Sequence, residues 1–246
     1  MAKHKPKFVY VIPTFGNPSG GLLSLERSKK VLELAVKYDT LIVEDDPYGD
    51  LYFNAAPLSL LALSAQVPGS RDLLVHCGSL SKVLSPGLRV GWMIAPPELL
   101  GKTTMCKQFS DAHSSTFAQA TAAQYLKAGR VPAKLAHVRQ MYAERAQAMG
   151  NALGKDLGAA IAFVQFQGGL FVRALLAGAG GKLKDGADFA KRAIDKGVAF
   201  VPGVPFYAPN PDTSTLRLSF ATAMRPRLKK VWVAWRRRCK PSPWLR

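Results

Sequence analysis

The chain has 246 residues, of which 48% are hydrophobic and 20% charged, and its formal net charge is +18. This composition is typical of a soluble globular protein with a substantial core, and it excludes a disordered or collagen-like chain. No apolar run reaches the roughly 18 residues of a membrane-spanning helix, and no apolar signal segment follows the basic first residues, so we expect a cytoplasmic protein without a membrane partner.

Short apolar runs and helical patterns alternate in the first half of the chain. A helix is predicted from residue 24 to about residue 38, with Leu25, Leu32 and Val36 on one face. Four apolar runs predict strands, and they cover residues 8–12, 40–43, 73–77 and 89–95. Strands that are separated by helices favour an α/β fold with a mainly parallel sheet.

The second half of the chain has a different character. Three helices are predicted after the fourth strand, and the clearest covers about 133–157. A smaller α+β unit follows, with a helix at about 187–196 and strands at 161–166, 170–175, 198–201 and 215–220. We therefore predict a partial large domain over residues 1–130, a connecting helix and small C-terminal domain over 131–224, and a basic tail over 225–246.

The predicted tail has nine lysines and arginines and no acidic residue. A basic run of this kind can bind nucleic acid or an acidic surface, and it can equally be a solvated tail. We favour the solvated tail and predict no nucleic-acid partner, because no nucleic-acid-binding motif accompanies the charge.

Polar residues follow three of the predicted strands. Asn17 comes after the first strand, residues 44–49 (Glu-Asp-Asp-Pro-Tyr-Gly) after the second, and residues 78–82 (Gly-Ser-Leu-Ser-Lys) after the third. Ligands of open α/β sheets bind outside the carboxyl ends of the strands. We therefore expect these three loops to converge on one crevice.

The residue types in these loops suit one kind of cofactor. A lysine in a partly desolvated pocket, here Lys82, can be a nucleophilic amine and form a Schiff base. Small hydroxyl residues, backbone N–H groups and an arginine bind phosphate, and a carboxylate keeps a pyridine nitrogen protonated. The three cysteines and four histidines show no metal-ligand spacing, so no metal site is predicted.

The order and spacing of the motifs resemble those of class I and II aminotransferases, which have fold type I and use pyridoxal 5′-phosphate (PLP). Residues 78–91 look like the lysine signature of that family, and residues 17–20 (Asn-Pro-Ser-Gly) are similar to its Asn-Pro-Thr-Gly motif. Residues 45–48 fit its Asp-x-x-Tyr motif, while 197–203 and 217–220 resemble its C-terminal landmarks. The sequence of residues 44–49 is most similar to that of the 2-aminoadipate and aromatic aminotransferase branch. Members of this branch also form the C-terminal domain of GntR-type (MocR-like) regulators.

The resemblance implies a role for each site residue. Lys82 would form the Schiff base and shuttle the proton at the substrate α-carbon. Asp45 would pair with the pyridinium nitrogen, and Arg217 would bind the α-carboxylate of the substrate. The remaining contacts would be made to the ring 3′-oxygen by Asn17 and Tyr48, and to the phosphate by Ser79, Ser81 and Arg89. The family relationship further implies a homodimer that moves an amino group from an α-amino acid to a 2-oxo acid.

Several of these residues have a simpler interpretation. Asp45 and Asn17 both precede prolines and are common in turns, although the offset to Tyr48 favours the cofactor role for Asp45. Arg217 lies within an alternating strand and can be an ordinary exposed arginine. Ser81 can be a helix cap instead of a phosphate ligand.

Two expectations concern the chain as a whole. Family members carry a segment before the first strand that binds the phosphate and stacks on the cofactor ring, so we expect a truncated form with low activity of its own. The leading hypothesis is a PLP-dependent aminotransferase. The alternative is the effector-sensing or PLP-sensing domain of a GntR/MocR-type transcription regulator.

Overall fold

The computed structural model describes residues 1–177, 185–195 and 197–222 of the chain, which form two compact units. The first unit holds Met1–Gly16 and Gly21–Arg139, and the second holds Asn17–Gly20 and the described residues from Gln140 onward. The predicted basic tail at 225–246 lies outside the described residues. The predicted domain boundary at residue 130 stays a prediction, since the two units meet within a continuous helix.

The first unit is built on a four-stranded sheet. Its strands, in spatial order, are β1 (Phe8–Val11), β2 (Leu41–Asp46), β3 (Leu74–Ser79) and β4 (Gly91–Ile94). β1, β2 and β3 are parallel, and β4 runs antiparallel to β3. Each of the four predicted apolar runs therefore overlaps a strand, although β2 and β3 extend beyond the predicted ends at residues 43 and 77, and the prediction of a mainly parallel sheet is confirmed.

Helices connect and follow these strands. They are α1 (Leu25–Tyr38), the short α2 (Leu60–Leu63), α3 (Pro97–Asp111), α4 (Thr116–Lys127) and α5 (Val131–Leu157). α1 begins where the Ser24 hydroxyl accepts a hydrogen bond from the backbone N–H of Arg27, and it ends where Asp39 adopts a left-handed conformation. The helix predicted there is confirmed. Within the described ranges, no helix is both long and apolar enough to cross a bilayer.

The two faces of this sheet have different environments. Side chains alternate between faces along each strand, so Ile42 and Glu44 point to one face while Asp45 points to the other. The first face is covered by α1 and α2, and its fully buried apolar residues are Leu32, Ala35, Ile42, Leu60, Leu63 and Leu74. The second face carries Tyr10, which is 54% exposed, next to the Asp45 carboxylate. The candidate cofactor-binding carboxylate of Asp45 is thus on the less covered face.

Among the described residues, the second unit contains a smaller antiparallel sheet, one helix of its own and the C-terminal part of α5. Its strands, in spatial order, are β5 (Ile161–Phe163), β6 (Phe171–Leu176), β8 (Thr215–Ser219) and β7 (Val201–Pro202), and the helix is α6 (Gly186–Ile194). The predicted strand at 198–201 was largely wrong, because only Val201 belongs to a strand and Pro202, which follows it, has no N–H for the ladder. The strand predicted at 161–166 ends earlier, at Phe163.

Candidate functional site

Asp45 is held at the carboxyl end of β2. The parallel register places Tyr10 of β1 opposite Val43, so Tyr10 and Asp45 are diagonal neighbours on one face of the sheet. The Tyr10 hydroxyl donates a hydrogen bond to Oδ2 of Asp45. On the other side, Asp45 lies opposite Cys77 of β3. Sequence reasoning identified Asp45 and missed Tyr10, whose only signal was its place in the alternation of the first strand.

The groups next to Asp45 keep their protons at neutral pH. Partial burial, followed by the hydrogen bond to Asp45, raises the pKa of Tyr10 to about 12. Burial, followed by the negative charge of Asp45, also raises the pKa of the Cys77 thiol. A phenol that donates and a neutral thiol therefore flank the Asp45 carboxylate.

The Asp46 side chain points to the opposite face of the sheet from Asp45 and holds the loop that follows β2. Its Oδ1 accepts a hydrogen bond from the buried Thr14 hydroxyl and another, at 2.9 Å, from the backbone N–H of Gly49. Burial raises the pKa of Asp46, and these two hydrogen bonds oppose the rise. The loop held in this way contains Tyr48, whose side chain is buried. Asp46 is therefore a structural residue of this loop.

Ser79, Ser81 and Arg89 lie together after β3. The backbone N–H of Ser81 donates to Oγ of Ser79 at 3.1 Å. Nη1 of Arg89 lies 3.5 Å from Oγ of Ser81 and 3.2 Å from the carbonyl oxygen of Pro86. Arg89 has a left-handed backbone conformation (φ 55°), which directs the chain out of a short 3₁₀ turn towards β4. Two hydroxyl groups and one guanidinium thus form a compact polar cluster of the kind that binds phosphate.

Lys82 follows this cluster directly. It is exposed and lies in the turn that leaves β3, where the backbone N–H groups of Leu84 and Ser85 both donate to the carbonyl oxygen of Leu80. The Lys82 amine is therefore attached to a hydrogen-bonded turn, and Lys82 comes directly after Ser81. No hydrogen bond or ion pair holds the Lys82 side chain among the described residues.

Arg217, a candidate site residue of the second unit, contacts three neighbouring side chains. Its Nη1 donates to Oδ1 of Asn17 at 2.9 Å. Its guanidinium carbon lies 4.6 Å from the ring centre of Phe171 and 5.2 Å from that of Phe206, both within cation–π range. Nε is buried, and in the described part of the chain it has no hydrogen-bond partner. A buried donor that lacks an acceptor costs free energy unless a ligand supplies one.

Asn17 reaches Arg217 because residues 17–20 pack with the second unit. Gly20 has a left-handed φ of 64°, and a Cβ added there would lie 2.3 Å from the carbonyl oxygen of Phe171. Only glycine permits this approach. The segment is therefore attached next to the strand that carries Phe171. The predicted convergence of Asn17 with Tyr48, which belongs to the first unit, stays a prediction.

One polar pair of the first unit was not predicted. Nδ1 of His76 lies 2.8 Å from Oε2 of Glu44, whose two oxygens also accept hydrogen bonds from the backbone N–H groups of Leu60 and Leu61 at 2.6 and 3.1 Å. Glu44 thus caps α2 and connects it to β3. The pair lies on the helix-covered face of the sheet and is a structural element.

The chain matches a known family model and known relatives. Residues 2–232 match the model described as aminotransferase class I and II. The chain is 40% identical over 228 residues to the 2-aminoadipate transaminase of Thermus thermophilus, which covers 92% of this chain and 55% of that protein. It is 34% identical to aromatic-amino-acid aminotransferase 1 of Thermococcus litoralis, over 92% of this chain and 52% of that protein. The chain spans about half the length of the curated relatives it matches.

Solved structures and one group of regulators are also similar. The crystal structure of LysN from Thermus thermophilus, an α-aminoadipate aminotransferase complexed with N-(5′-phosphopyridoxyl)-L-leucine, is 37% identical, with a TM-score of 0.88 over 96% of this chain and 59% of that chain. An uncharacterized HTH-type transcriptional regulator of Bacillus subtilis, YisV, is 34% identical over 152 residues, which is 62% of this chain and 31% of the regulator.

Proposed function

Because the chain belongs to the class I and II aminotransferase family, we propose that it binds PLP and moves an amino group from an α-amino acid to a 2-oxo acid. The fold-type-I architecture expected from the motifs is confirmed by the likeness to solved aminotransferases. A 2-aminoadipate transaminase and an aromatic-amino-acid aminotransferase are among the similar proteins. We also propose a cytoplasmic location.

The observation that carries this proposal is the buried Nε of Arg217, which has no hydrogen-bond partner among the described residues. Because Asn17 accepts from Nη1, the edge formed by Nε and Nη2 is left for a ligand. A guanidinium edge binds a carboxylate through two parallel hydrogen bonds. Phe171 and Phe206 restrict the guanidinium plane. We propose that this edge binds the α-carboxylate of the amino acid.

The residues of the first unit fit PLP. The Ser79–Ser81–Arg89 cluster offers hydroxyl groups and a positive charge for its phosphate. Asp45 offers a carboxylate for its ring nitrogen, and Lys82 offers an exposed amine for its aldehyde carbon. Asn17 and Tyr48 are proposed to donate hydrogen bonds to its ring 3′-oxygen. When bound, PLP supplies an electron sink for negative charge at the substrate α-carbon.

The chain's own residues have separate tasks in this scheme. Lys82 Nζ would hold the cofactor and would move the proton at the substrate α-carbon. The Asp45 carboxylate balances the charge of the protonated ring nitrogen. Arg217 orients the substrate through its carboxylate, and orientation of reacting atoms contributes much of the rate in such reactions.

The proposal is tested by titrating PLP into the 246-residue chain and measuring the conversion of an added amino acid to its 2-oxo acid. Lys82→Ala is expected to abolish both the cofactor absorbance change and the conversion. Lys102→Ala is the matched control, because Lys102 is an exposed lysine of α3 that pairs with Glu98 on its own helix. Conversion that is equal in the wild type and Lys82→Ala would contradict the proposal.

The second candidate is a PLP-binding sensor domain of a transcription regulator. The similarity to YisV supports it, although that similarity covers 62% of the chain whereas the aminotransferase relatives cover 92%. The same titration separates the two candidates. A sensor domain would bind PLP and change its absorbance on addition of an amino acid, but would release no 2-oxo acid.

We further propose that a second copy of the chain packs on α3 and α4. The support is a set of exposed apolar side chains, of which Phe109 and Phe117 are 83% and 82% exposed. Exposed patches of this kind mark interaction surfaces. Light scattering of Phe109→Asp is expected to show a shift towards monomer, whereas Val164→Asp, at an exposed position of the second unit, leaves the mass unchanged. Equal masses for the wild type and both variants would contradict a dimer at this surface.

A further inference from the structure

Tyr10 lies on the same face of the sheet as Asp45. The proposed function gives no role to the contact between these two side chains. The Tyr10 hydroxyl donates to Oδ2 of Asp45 across two parallel strands. The side chain is 54% exposed, so burial of its ring contributes little to the core. The hydrogen bond to Asp45 is therefore the main interaction that a tyrosine provides here and that a phenylalanine would lack.

The hydrogen bond fixes the orientation of the Asp45 carboxylate. Among the described residues, Tyr10 is the one side-chain donor to Asp45, so Oδ1 is left without a protein partner. A carboxylate rotates about its Cβ–Cγ bond, and one donor to Oδ2 sets the direction in which Oδ1 points. Charge-assisted hydrogen bonds of this type are stronger than neutral ones.

Tyr10 stays a donor over the whole neutral range. Burial and the hydrogen bond to Asp45 raise its pKa to about 12. The titratable groups around the hydroxyl are Asp45, Cys77 and Tyr48, and each of them adds to the rise. The direction of the hydrogen bond, from phenol to carboxylate, is thus constant at the pH values at which the protein would work.

We infer that Tyr10 is a positioning residue that acts through Asp45 by holding Oδ1 towards the ring nitrogen of PLP. This inference rests on the proposed function, since it requires PLP to be the group that Asp45 meets. The role of Tyr10 is assigned to its contact with the Asp45 carboxylate, and no contact with the substrate is assigned to it. It determines how well the charge of Asp45 is aligned with the protonated nitrogen.

The test compares Tyr10→Phe with Tyr38→Phe in the full chain. Tyr38 is another partly exposed tyrosine of the first unit, in the last turn of α1, so its variant removes a hydroxyl without touching Asp45. Loss of one charge-assisted hydrogen bond is expected to weaken PLP binding about tenfold in Tyr10→Phe. Tyr38→Phe should bind like the wild type. Midpoints of urea unfolding measured without PLP show whether either variant has lost stability.

A spectroscopic signature separates positioning from a structural role. A ring nitrogen that is less strongly protonated withdraws less electron density from the Lys82 linkage. The pH at which the visible absorbance of bound PLP changes should therefore move upward in Tyr10→Phe and stay in place in Tyr38→Phe. In an Asp45→Asn background, Tyr10→Phe should change PLP affinity by less than about twofold, because the two residues act as one unit.

The outcomes distinguish this inference from the function on which it rests. If the wild type takes up no PLP, the proposed function and the role of Tyr10 are both wrong. If the wild type binds PLP but Tyr10→Phe has the affinity and the absorbance transition of the wild type, the role of Tyr10 alone is wrong. The role of Tyr10 would also be wrong if Tyr10→Phe weakened PLP binding equally in the wild type and in the Asp45→Asn background.

Discussion

Nη1 of Arg217 donates a 2.9 Å hydrogen bond to Oδ1 of Asn17, a residue 200 positions earlier in the chain. The bond uses one end of the guanidinium, and the buried Nε has no acceptor in the part of the chain that the structure describes. Since Phe171 and Phe206 lie close to the guanidinium, its plane is constrained as well. The remaining edge is therefore prepared for a planar anion such as a carboxylate.

Arg217→Lys keeps the charge but loses the planar pair of donors. We expect amino-acid binding to weaken by about tenfold to a hundredfold, while PLP binding and its absorbance spectrum stay unchanged. The measurement is a titration of the PLP-loaded chain with an amino acid. Arg173→Lys is the control, because Arg173 lies opposite Arg217 on β6 and is exposed. Unaltered affinity in Arg217→Lys would make Arg217 an ordinary strand residue.

Asn17→Ala removes the acceptor that orients Arg217. Nη1 then loses its partner and the guanidinium can rotate, so we expect amino-acid binding to weaken roughly threefold to tenfold. Asn54→Ala, at an exposed position of the first unit, should have no effect. The same titration measures both variants, and an Asn17→Ala protein that binds the amino acid like the wild type would rule out this orienting role.

Gly20→Ala tests the close approach of residues 17–20 to β6. Gly20 and Gly129 share a φ of 64°, but a Cβ would lie 2.3 Å from the Phe171 carbonyl oxygen at Gly20 and would meet nothing within 4 Å at Gly129. Left-handed backbone alone costs an alanine about 1–2 kcal/mol, and the clash at Gly20 adds about 1–3 kcal/mol. Urea unfolding should therefore show a clearly larger loss for Gly20→Ala, and similar losses for the two variants would contradict the contact.

We expect the titration of His76 to make the free energy of unfolding depend on pH. The hydrogen bond to Glu44 is the largest influence on its pKa and raises it, whereas burial opposes the rise. The folded protein then binds this proton more tightly than the unfolded chain does, so the contribution is fully present below the ordinary pKa of 6.5 and is lost as the pH rises through the raised folded pKa.

His76→Asn keeps a neutral donor near Glu44 but cannot titrate. The free energy of unfolding of the wild type should fall from pH 6.5 upward, and this fall should be smaller in His76→Asn. His113→Asn is the control, since the His113 side chain is exposed and, among the described residues, bonds only to the carbonyl oxygen of its neighbour Ser114. Identical pH dependence in His76→Asn and the wild type would show that the pair contributes nothing to this slope.

Local patterns in the sequence predicted the framework well. The Ser24 cap and the apolar spacing of the first helix defined α1, and the strand that carries Asp45 was visible as a short apolar run. The order of the motifs also identified the family. These features depend on neighbours within a few residues, which a sequence displays directly.

The missed contacts all depend on residues that are distant in the chain. Tyr10 meets Asp45 only because β1 and β2 pair in one particular register, and His76 meets Glu44 for the same reason on the other face. Phe171 and Phe206 reach Arg217 through the packing of the second unit. A sequence without its strand register cannot specify such pairs.

The central claim is that Lys82 carries PLP in this chain. The most direct measurement is to incubate the 246-residue protein with PLP, reduce it with borohydride, digest it and locate the modified lysine by mass spectrometry. The account predicts a stoichiometric label on Lys82, absent from Lys82→Ala and present in Lys102→Ala. A label on a different lysine, or labelling spread over many lysines to the same extent in the wild type and Lys82→Ala, would contradict it.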